Sequence, residues 1–395
     1  MPKKRWTYGT GAHFLEQIAA FDIMIVGAGP AGVSTWLHLK RYAPELADRT
    51  ILVDKARFPR PKVCAGGVGA WSESLLYDLG IELNIPSLFV DEVDFRFQDQ
   101  RWLFHSPNQF RMVQRVDFDQ ALVNSALKRG AVLHENEPLL KIAPTPKGLA
   151  VSTRQGRYAI KALVGADGSL SAVRRMAMRP RLACLGSTLQ LTIPADAQGD
   201  TEFVQKRARI DLSPIAHGLQ GYLWRFPCLK EGTPILNIGT GHAHFMPARP
   251  KTTLKDLIIR EVGPRAKDIK YENWSSHPVR WFAMDAPISR PHIILAGDAA
   301  GIEPAFGGGI HMALAYGDVA AQALVEAFKA RDFTFRHYRQ VLMSHYLGRY
   351  IEDYTRLAQQ MYAGQESPLD LVRQFYTDRL IRRKLQALLG QYGPS

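Results

Sequence analysis

A glycine-rich turn near the start of the chain has the spacing of a dinucleotide-binding site. Gly27, Gly29 and Gly32 form a G-x-G-x-x-G pattern, with Pro30 and Ala31 between the last two glycines. In such a turn the first glycine permits a tight bend, the second lets a pyrophosphate approach the backbone, and the third lets a helix pack against a strand. Free N–H groups at the start of that helix can then bind phosphate.

The segments around this turn supply the elements that such a site needs. The apolar run Ile23–Val26 predicts a buried strand, and a helix is predicted from about Ala31. A second strand, TILVDK, ends in Asp54 and Lys55, where an acid can bind a ribose hydroxyl. Strand, turn, helix, strand and acid in this order favour a Rossmann-like unit. These residues alone leave the choice between FAD and NAD open.

Two later segments also place an acid at the end of an apolar strand. In AIKALVGADGSLSAVR the acid is Asp167, and in IILAGDAAGIEPAFGGGIHMALAYGDVAA it is Asp298, directly after Gly297. The second segment continues through a glycine run into a helix of small residues. The run and its successor are Gly307, Gly308, Gly309 and Ile310. Ligands of parallel sheets bind at the carboxyl ends of strands, so the three segments predict one shared site.

The order GAGPAG, GADGSLSAVR and AGDAAGIEPAFGGGI resembles the large FAD family that includes aromatic hydroxylases and flavin-dependent halogenases. The resemblance implies an FAD cofactor, with NAD(P)H as its expected electron donor. It implies that the first motif binds the ADP half, that Asp167 lies near the pyrophosphate and that Asp298 contacts the ribityl chain. The glycine run would lie under the flavin ring. No histidine or cysteine lies where covalent attachment can be argued, so the FAD is expected to be non-covalent.

Two further segments, RFPRPKVCAGGV and GYLWRFP, are similar to the K-x-C-G-G and Y-x-W-x-F-P motifs of the geranylgeranyl reductase group. The resemblance implies that Tyr222, Trp224 and Phe226 contact the substrate, and it makes Cys64 and Trp224 the candidate catalytic residues. An alanine, Ala65, is inserted after the cysteine, which departs from the motif. Halogenases carry W-x-W-x-I-P near the second segment, so the tyrosine and phenylalanine found here disfavour halogenation.

Each of these residues also has an alternative interpretation. Cys64 could be an inert packing cysteine, and the three aromatic residues could belong to a sheet core. If they share a strand, alternation places all three on one face, with Leu223 and Arg225 on the other. Arg115 resembles the arginine that opens a helix beside FAD in this family, and a surface ion pair is its alternative. His311 is interpreted as a packed histidine.

The pattern of elements predicts an α/β fold, α+β overall, with a Rossmann-like FAD-binding domain, an antiparallel β-sheet substrate domain and a C-terminal helical segment. The C-terminal helices are expected to dock on the FAD-binding domain, and a membrane-surface or partner-docking role is the alternative. The predicted ranges are 1–20 for an N-terminal extension, 21–85, 112–180 and 285–333 for the FAD-binding domain, 86–111 and 181–284 for the substrate domain, and 334–395 for the helices.

Composition limits the partners and the location. The three cysteines are far apart, so neither a disulfide framework nor a metal site is expected. No apolar run is long enough to span a bilayer and no secretory signal is recognisable, which predicts a cytoplasmic protein. The formal net charge of +13 fits a small-molecule substrate or an acidic protein or lipid-like substrate, and peripheral membrane contact stays open. A basic surface that only maintains solubility is the alternative. Nucleic acid is not expected, because the chain lacks a compact basic block outside its termini.

Three functions are compatible with these motifs. The first is an FAD-dependent oxidoreductase that reduces carbon–carbon double bonds of isoprenoid-type substrates, with a nearby acid supplying the proton. The second is a flavin monooxygenase that hydroxylates an aromatic ring, including one on an acidic protein or peptide during cofactor maturation. The third is a flavin-binding partner protein without turnover. The complete ribityl motif argues against the third.

Overall fold

A computed structural model describes residues 21–178 and 184–388. The predicted N-terminal extension, 1–20, lies outside the described residues. The strands are β1 (Ile23–Val26), β2 (Thr50–Val53), β3 (Gly67–Gly69), β4 (Ser87–Phe97), β5 (Gln100–Val113), β6 (Val132–His134), β7 (Leu139–Thr145), β8 (Gly148–Thr153), β9 (Arg157–Ile160), β10 (Ala162–Gly165), β11 (Leu185–Pro194), β12 (Arg207–Asp211), β13 (Leu223–Lys230), β14 (Thr233–His242), β15 (Trp274–Ser276), β16 (Val279–Arg280), β17 (Ser289–Arg290) and β18 (Ile293–Leu295).

Helices alternate with these strands in the first half of the chain and dominate its end. They are α1 (Pro30–Tyr42), α2 (Pro44–Ala47), α3 (Ala70–Asp78), α4 (Arg115–Lys128), α5 (Ala172–Ala177), α6 (Thr201–Val204), α7 (Leu254–Val262), α8 (Gly309–Ala330), α9 (Tyr338–Ser344), α10 (Tyr346–Ala363) and α11 (Pro368–Leu388).

A six-stranded sheet in the order β17-β18-β10-β1-β2-β6 forms the Rossmann-like part of the fold. Its pairs are parallel except β17–β18. Every residue of β1, β2 and β10 is buried, as expected for strands covered on both faces. Helices α1 and α8 pack closely against each other. The predicted Rossmann-like fold class is therefore confirmed.

A nine-stranded sheet in the order β15-β11-β14-β13-β12-β4-β5-β3, with β16 paired to β11, forms the second layer. Most of its pairs are antiparallel, as predicted, but β12 and β4 pair in parallel, with Arg207 opposite Glu92. The difference arises because these two strands are far apart in sequence and are not joined by a hairpin. Strand β3, from the 21–85 segment, pairs with β5 and so joins this sheet. A third sheet contains β7, β8 and β9.

The C-terminal helices pack against more of the molecule than the sequence predicts. Helices α9 and α10 contact α8, in agreement with docking on the FAD-binding part, whereas α11 contacts β4 and β5 of the large sheet. The reason is aromatic packing, because Tyr376 of α11 lies 5.7 Å from Phe95 and 5.8 Å from Phe104, measured between ring centroids. Among the described helices, none is both long and apolar enough to cross a bilayer.

Candidate functional site

A cavity of about 1070 Å³ lies between the six-stranded and nine-stranded sheets. Its glycine-rich end is lined by the turn after β1 and by Asp54, Arg60 and Arg115. Its aromatic end is lined by rings from β4, β5, β13, the loop before α8 and the C-terminal helices. Those rings belong to Phe95, Phe104, Phe110, Tyr222, Trp224, Phe226, Phe306, Tyr350, Tyr354 and Tyr376.

The three glycines of the first motif have different surroundings. Gly27 has a φ of +102°, and a Cβ there would overlap the carbonyl of Ala166. A Cβ on Gly32 would overlap the carbonyl oxygen of Gly27, so Gly32 lies behind the cavity wall and serves helix packing. A Cβ on Gly29 would approach only the guanidinium of Arg60, at 3.2 Å. Gly29, Pro30 and Ala31 line the cavity, and Gly29 leaves its backbone open to a ligand.

Asp54 lies at the end of β2 with little exposure and also lines the cavity. Its carboxylate accepts the backbone N–H of Ala28 and that of Ala56, each at 2.8 Å. The acid therefore holds the glycine turn against the second strand. Lys55, the next residue, is exposed and lines the same end.

Arg115 begins α4, as expected, and forms a buried ion pair instead of a surface one. Its Nε and Nη2 donate to the two oxygens of the fully buried Asp119 at 2.7 and 2.9 Å. Burial lowers the pKa of Arg115, but the charges of Asp119 and Cys64 more than offset it and raise the pKa above its usual value. Arg60 approaches the same carboxylate at 3.2 Å. Two arginines on one acid leave net positive charge facing the cavity, which suits a diphosphate.

Asp167 lies at the cavity wall after β10, but both of its oxygens already have partners in the chain. One accepts the hydroxyl of Ser171 at 2.5 Å, and the other accepts the backbone N–H groups of Ala172 and Val173 at 2.6 and 3.2 Å. Burial raises the pKa of the carboxyl group. The main local role of Asp167 is to cap α5 and to fix the turn that carries Gly168.

Asp298 and the glycine run face the cavity side by side. A Cβ on Gly309 would lie 3.6 Å from Oδ1 of Asp298, and Gly307, with a φ of +64°, has open space where a Cβ would stand. Gly308 and Ile310 also line the cavity. Gly297 is different, because a Cβ there would lie 2.7 Å from that of Ala31. It permits close packing of the loop on α1 and does not line the cavity wall.

Sequence reasoning missed the function of Glu303, which anchors the loop before the glycine run. The side chain is almost fully buried. Its Oε2 accepts the N–H of Ala305 at 2.6 Å and of Phe306 at 2.9 Å, and its Oε1 accepts the N–H of Gly308 at 2.7 Å. Burial raises the pKa of Glu303, and these N–H donors partly oppose that rise. The signal was the acid in the segment EPAFGGGI, four residues before the glycine run.

Two tyrosines hold the carbonyl groups of the same loop. The hydroxyl of Tyr222 donates to the carbonyl of Phe306 at 2.7 Å, and that of Tyr362 donates to the carbonyl of Pro304 at 3.1 Å. The loop is therefore tied to the large sheet and to α10 at once. Its position depends on elements that are distant in sequence.

Lys62, His277 and Ser169 form a polar cluster on the cavity wall. Lys62 Nζ hydrogen-bonds to Nε2 of His277, and the hydroxyl of Ser169 lies 3.1 Å from the same nitrogen. Burial lowers the pKa of His277 to about 4, with a further contribution from the charges of Lys62 and Arg115. Burial also lowers the pKa of Lys62, while the charge of Asp298 opposes this shift. The cluster adds positive charge close to Asp298.

The three predicted aromatic residues line the aromatic end together. The ring centroids of Tyr222 and Trp224 are 6.0 Å apart, and Phe226 follows two residues later on β13. Arg225, on the opposite face, binds Glu202 of α6 at 2.7 Å. Strand β13 begins at Leu223, so Tyr222 lies one residue before it, but the three aromatic side chains line the same cavity. Trp224 and Phe226 also belong to a buried hydrophobic cluster, so the cavity and the sheet core share these side chains.

Cys64 lies half-buried in the loop before β3 and lines the cavity. Its Sγ accepts the N–H of Gly66 at 3.4 Å, and its carbonyl accepts Nδ2 of Asn237 at 3.2 Å. Arg115 is close enough for its pKa to respond to the thiolate charge. His311 also reaches the cavity, where its ring packs 4.9 Å from Trp71 and 4.7 Å from Tyr350, measured between centroids.

A family model described as an FAD binding domain matches residues 20–331. The chain belongs to this family. Digeranylgeranylglycerophospholipid reductase 2 of Methanosphaera stadtmanae is 26% identical over 88% of this chain and 89% of its own length. Digeranylgeranylglycerophospholipid reductase 1 of Methanopyrus kandleri is 27% identical over 79% and 82%. A crystal structure from Thermoplasma acidophilum, described as geranylgeranyl bacteriochlorophyll reductase-like, has a TM-score of 0.71 at 22% identity and covers 89% of both chains.

These comparisons identify the protein as an FAD-dependent oxidoreductase that resembles the geranylgeranyl reductase group. The described residues fit the cofactor. The cavity has room for a dinucleotide, Gly29 and Gly307 leave the backbone open to it, and Arg60 and Arg115, which share Asp119, leave net positive charge near its phosphates.

Proposed function

We propose that this oxidoreductase reduces carbon–carbon double bonds of an elongated apolar substrate of the isoprenoid type, with NAD(P)H or another donor as the source of electrons. The observation that carries the proposal is the aromatic end of the cavity, where rings from five parts of the chain surround one volume. Burial of apolar surface there favours a long unsaturated chain over a small polar molecule. The names of the relatives from Methanosphaera and Methanopyrus support the same substrate class.

The cofactor would be held without a covalent bond along the glycine-rich end and the loop before α8. FAD, when bound, supplies the hydride transfer. We assign its contacts to residues that line or support this path, namely Gly27, Gly29, Pro30, Ala31, Gly32, Asp54, Lys55, Arg115, Asp167, Gly297, Asp298, Gly307, Gly308, Gly309 and Ile310. The division of the chain into FAD-binding, substrate and C-terminal helical parts remains our proposal at the boundaries given above.

Cys64 is the side chain we propose to hold the proton that completes the reduction. Its thiol lines the same cavity as Tyr222 and Trp224, and its Sγ accepts the N–H of Gly66. Glu303 is a poorer source, because both of its oxygens accept backbone N–H groups. Trp224 and its neighbours would hold the double bond in place and exclude water from it.

The alternative is a flavin monooxygenase that acts on an aromatic ring, including one on an acidic protein. The inserted Ala65 and the formal charge of +13 favour it. The two functions differ in what consumes the reduced cofactor. The test is to reduce the holoenzyme anaerobically with NADH or NADPH and then add either a digeranylgeranyl lipid or O₂.

A reductase should be reoxidised by the lipid without O₂, and each reduced bond should add two hydrogens to the product mass. Reoxidation by O₂ alone, with a hydroperoxide absorbance and no reduced lipid, would instead establish the monooxygenase. Two neighbouring positions on β5 give a matched pair of variants. Phe104 lines the cavity whereas Leu103 is 41% exposed, so Phe104→Ala should raise the KM for the lipid and Leu103→Ala should not.

A further inference from the structure

Asn237 lies on β14, in a row of the large sheet that also contains Thr192 and Phe226. The residue is only 3% exposed. Its side chain makes two hydrogen bonds in opposite directions. Oδ1 accepts Nε1–H of Trp224 at 2.9 Å, and Nδ2 donates to the carbonyl oxygen of Cys64 at 3.2 Å. One buried amide thus bridges a strand of the sheet and the loop before β3.

The indole of Trp224 is seated on the same strand by a second residue. Gly239 is opposite Trp224 in the strand pairing. A Cβ on Gly239 would overlap the indole ring, so the ring lies across β14 in the space that this glycine leaves. The ring plane is set by Gly239, and the direction of its N–H group is set by Asn237.

Cys64 is held at its other atoms by different groups. Its Sγ accepts the N–H of Gly66, and the next carbonyl, that of Ala65, lies 3.9 Å from the thiol of Cys228. Among the hydrogen bonds of the described residues, the one from Asn237 joins the Cys64 backbone to the large sheet. Gly66, two residues later, is tied to β5 because its carbonyl accepts the N–H of Val113 at 3.0 Å, so the Asn237 bond fixes the loop at Cys64 itself, on the side of the indole.

We infer that Asn237 is a positioning residue that couples the thiol-bearing loop at Cys64 to the indole of Trp224. The inference rests on the proposed function only where it treats those two residues as catalytic. An amide is the side chain that can do this, because one end accepts from the indole and the other donates to a carbonyl. Aspartate would place a second acceptor against the Cys64 carbonyl, and leucine would leave both partners without a hydrogen bond.

The first test measures the loop directly in the holoenzyme. Asn237→Asp, Asn237→Leu and the control Thr192→Val are treated with iodoacetamide, and peptide mass mapping separates Cys64 from Cys184 and Cys228. We expect alkylation of Cys64 to accelerate by roughly 5- to 100-fold in both Asn237 variants, the range for removing one partner of a buried hydrogen bond. The rate should be unchanged in Thr192→Val, whose residue shares the row but not the bridge.

The second test approaches the bridge from the indole. Trp224→Phe keeps an aromatic ring but removes the N–H group, so it should also accelerate Cys64 alkylation. In the double variant Trp224→Phe, Asn237→Asp, the acceleration should be smaller than the product of the two single-variant accelerations, because both changes break the same bridge. A purely structural role would change melting temperature without this coupling.

Unchanged Cys64 alkylation in folded Asn237→Asp and in Trp224→Phe would overturn the inference. If Asn237→Leu fails to fold, these two variants decide the question. If the alkylation rates change as expected but the wild-type protein reduces no lipid, the bridge stands and the proposed function falls. Where the wild-type protein reduces lipid, Asn237→Asp and Trp224→Phe should each lower kcat by roughly tenfold or more with little change in KM.

Discussion

The two ends of the cavity are built from different kinds of atoms. At the glycine-rich end, the wall consists of backbone exposed by Gly29 and Gly307 and of charged groups at strand ends, such as Asp54 and Asp298. At the aromatic end, the wall consists of side chains from β4, β5, β13, α10 and α11. Backbone walls suit a ligand with fixed phosphates, and side-chain walls suit an apolar ligand.

The two ends also belong to different hydrophobic clusters. Ala28, Ala31 and Ile310 are part of the cluster around the six-stranded sheet. Trp224 and Tyr354 are part of the cluster under the large sheet. Tyr350 packs against both clusters and the Tyr222 hydroxyl reaches the loop before α8, but the two clusters share no buried member. Damage to a buried member at one end should therefore leave the other end largely intact.

The largest expected effect is on FAD binding in Gly29→Val. Gly29 has a φ of −75° and a ψ of −174°, a conformation that valine adopts readily. Its Cβ would meet only the guanidinium of Arg60, at 3.2 Å, so the protein should fold. The branched side chain would occupy the approach of the pyrophosphate and lower FAD affinity by about 100-fold or more. Equilibrium dialysis of FAD against the folded apoprotein measures this.

Gly32→Val is the matched control for that experiment. Its side chain would overlap the carbonyl of Gly27 behind the wall, so it should lower both FAD binding and the thermal midpoint. Normal FAD content in a folded Gly29→Val protein would show that the glycine-rich end does not bind the nucleotide.

The sequence predicts the glycine-rich end well because its geometry is local. Gly27 and Asp54 follow buried strands directly, and parallel strands that share a sheet bring their carboxyl ends to one edge. Residues that belong to one sequence motif are therefore also close together in the fold. Even here the sequence does not show how the acids are used. Asp54 accepts two backbone N–H groups, and Asp167 accepts the hydroxyl of Ser171 and two backbone N–H groups.

The aromatic end is harder to predict because it is assembled from distant segments. The strand alternation around Trp224 is readable from GYLWRFP, but no local pattern shows that Tyr376 of α11 meets Phe95 of β4. No sequence pattern indicates the roles of Glu303 and Asn237 either. Their roles depend on hydrogen bonds to groups whose positions only the folded chain defines.

The second prediction is that Trp224→Ala separates stability from FAD binding. Trp224 is 7% exposed and packs over Gly239, so its truncation should lower the free energy of unfolding by about 3–5 kcal/mol. FAD content at saturating FAD should be retained, because the indole belongs to the other cluster. Substrate turnover should be lost. Denaturant titration, flavin absorbance and the lipid assay on one preparation measure all three.

Trp224→Phe is the control, since it keeps most of the ring volume and should recover most of the stability. Parallel loss of FAD and stability in Trp224→Ala, with both recovered in Trp224→Phe, would mean that the indole supports the whole molecule. The separation between the two ends would then be wrong.

The smallest expected effect is a pH dependence that arises at the polar cluster of Lys62, His277 and Ser169. Burial and the nearby cations lower the pKa of His277 from 6.5 to about 4 in the folded protein. Between these two pH values the unfolded chain binds a proton that the folded protein does not. The contribution of His277 to stability is therefore fully present above pH 6.5, falls as the pH drops through this window, and levels off below pH 4.

The size of the loss should be about 1–3 kcal/mol, because the ring is only partly buried and solvent reduces the full effect. Denaturant unfolding of the FAD-saturated protein at pH 7, 6, 5 and 4 measures it, and the difference from His277→Gln isolates this residue from the other titrating groups. Lys62→Met tests the direction of the pKa shift of His277. Removing that cation should raise the pKa of His277 toward 6.5 and shrink the loss, since the Lys62 charge opposes protonation of the ring. An identical pH profile in the wild type and His277→Gln would show that the imidazole titrates alike in the folded and unfolded chains. The polar cluster would then not be the desolvated, cationic wall that the glycine-rich end requires.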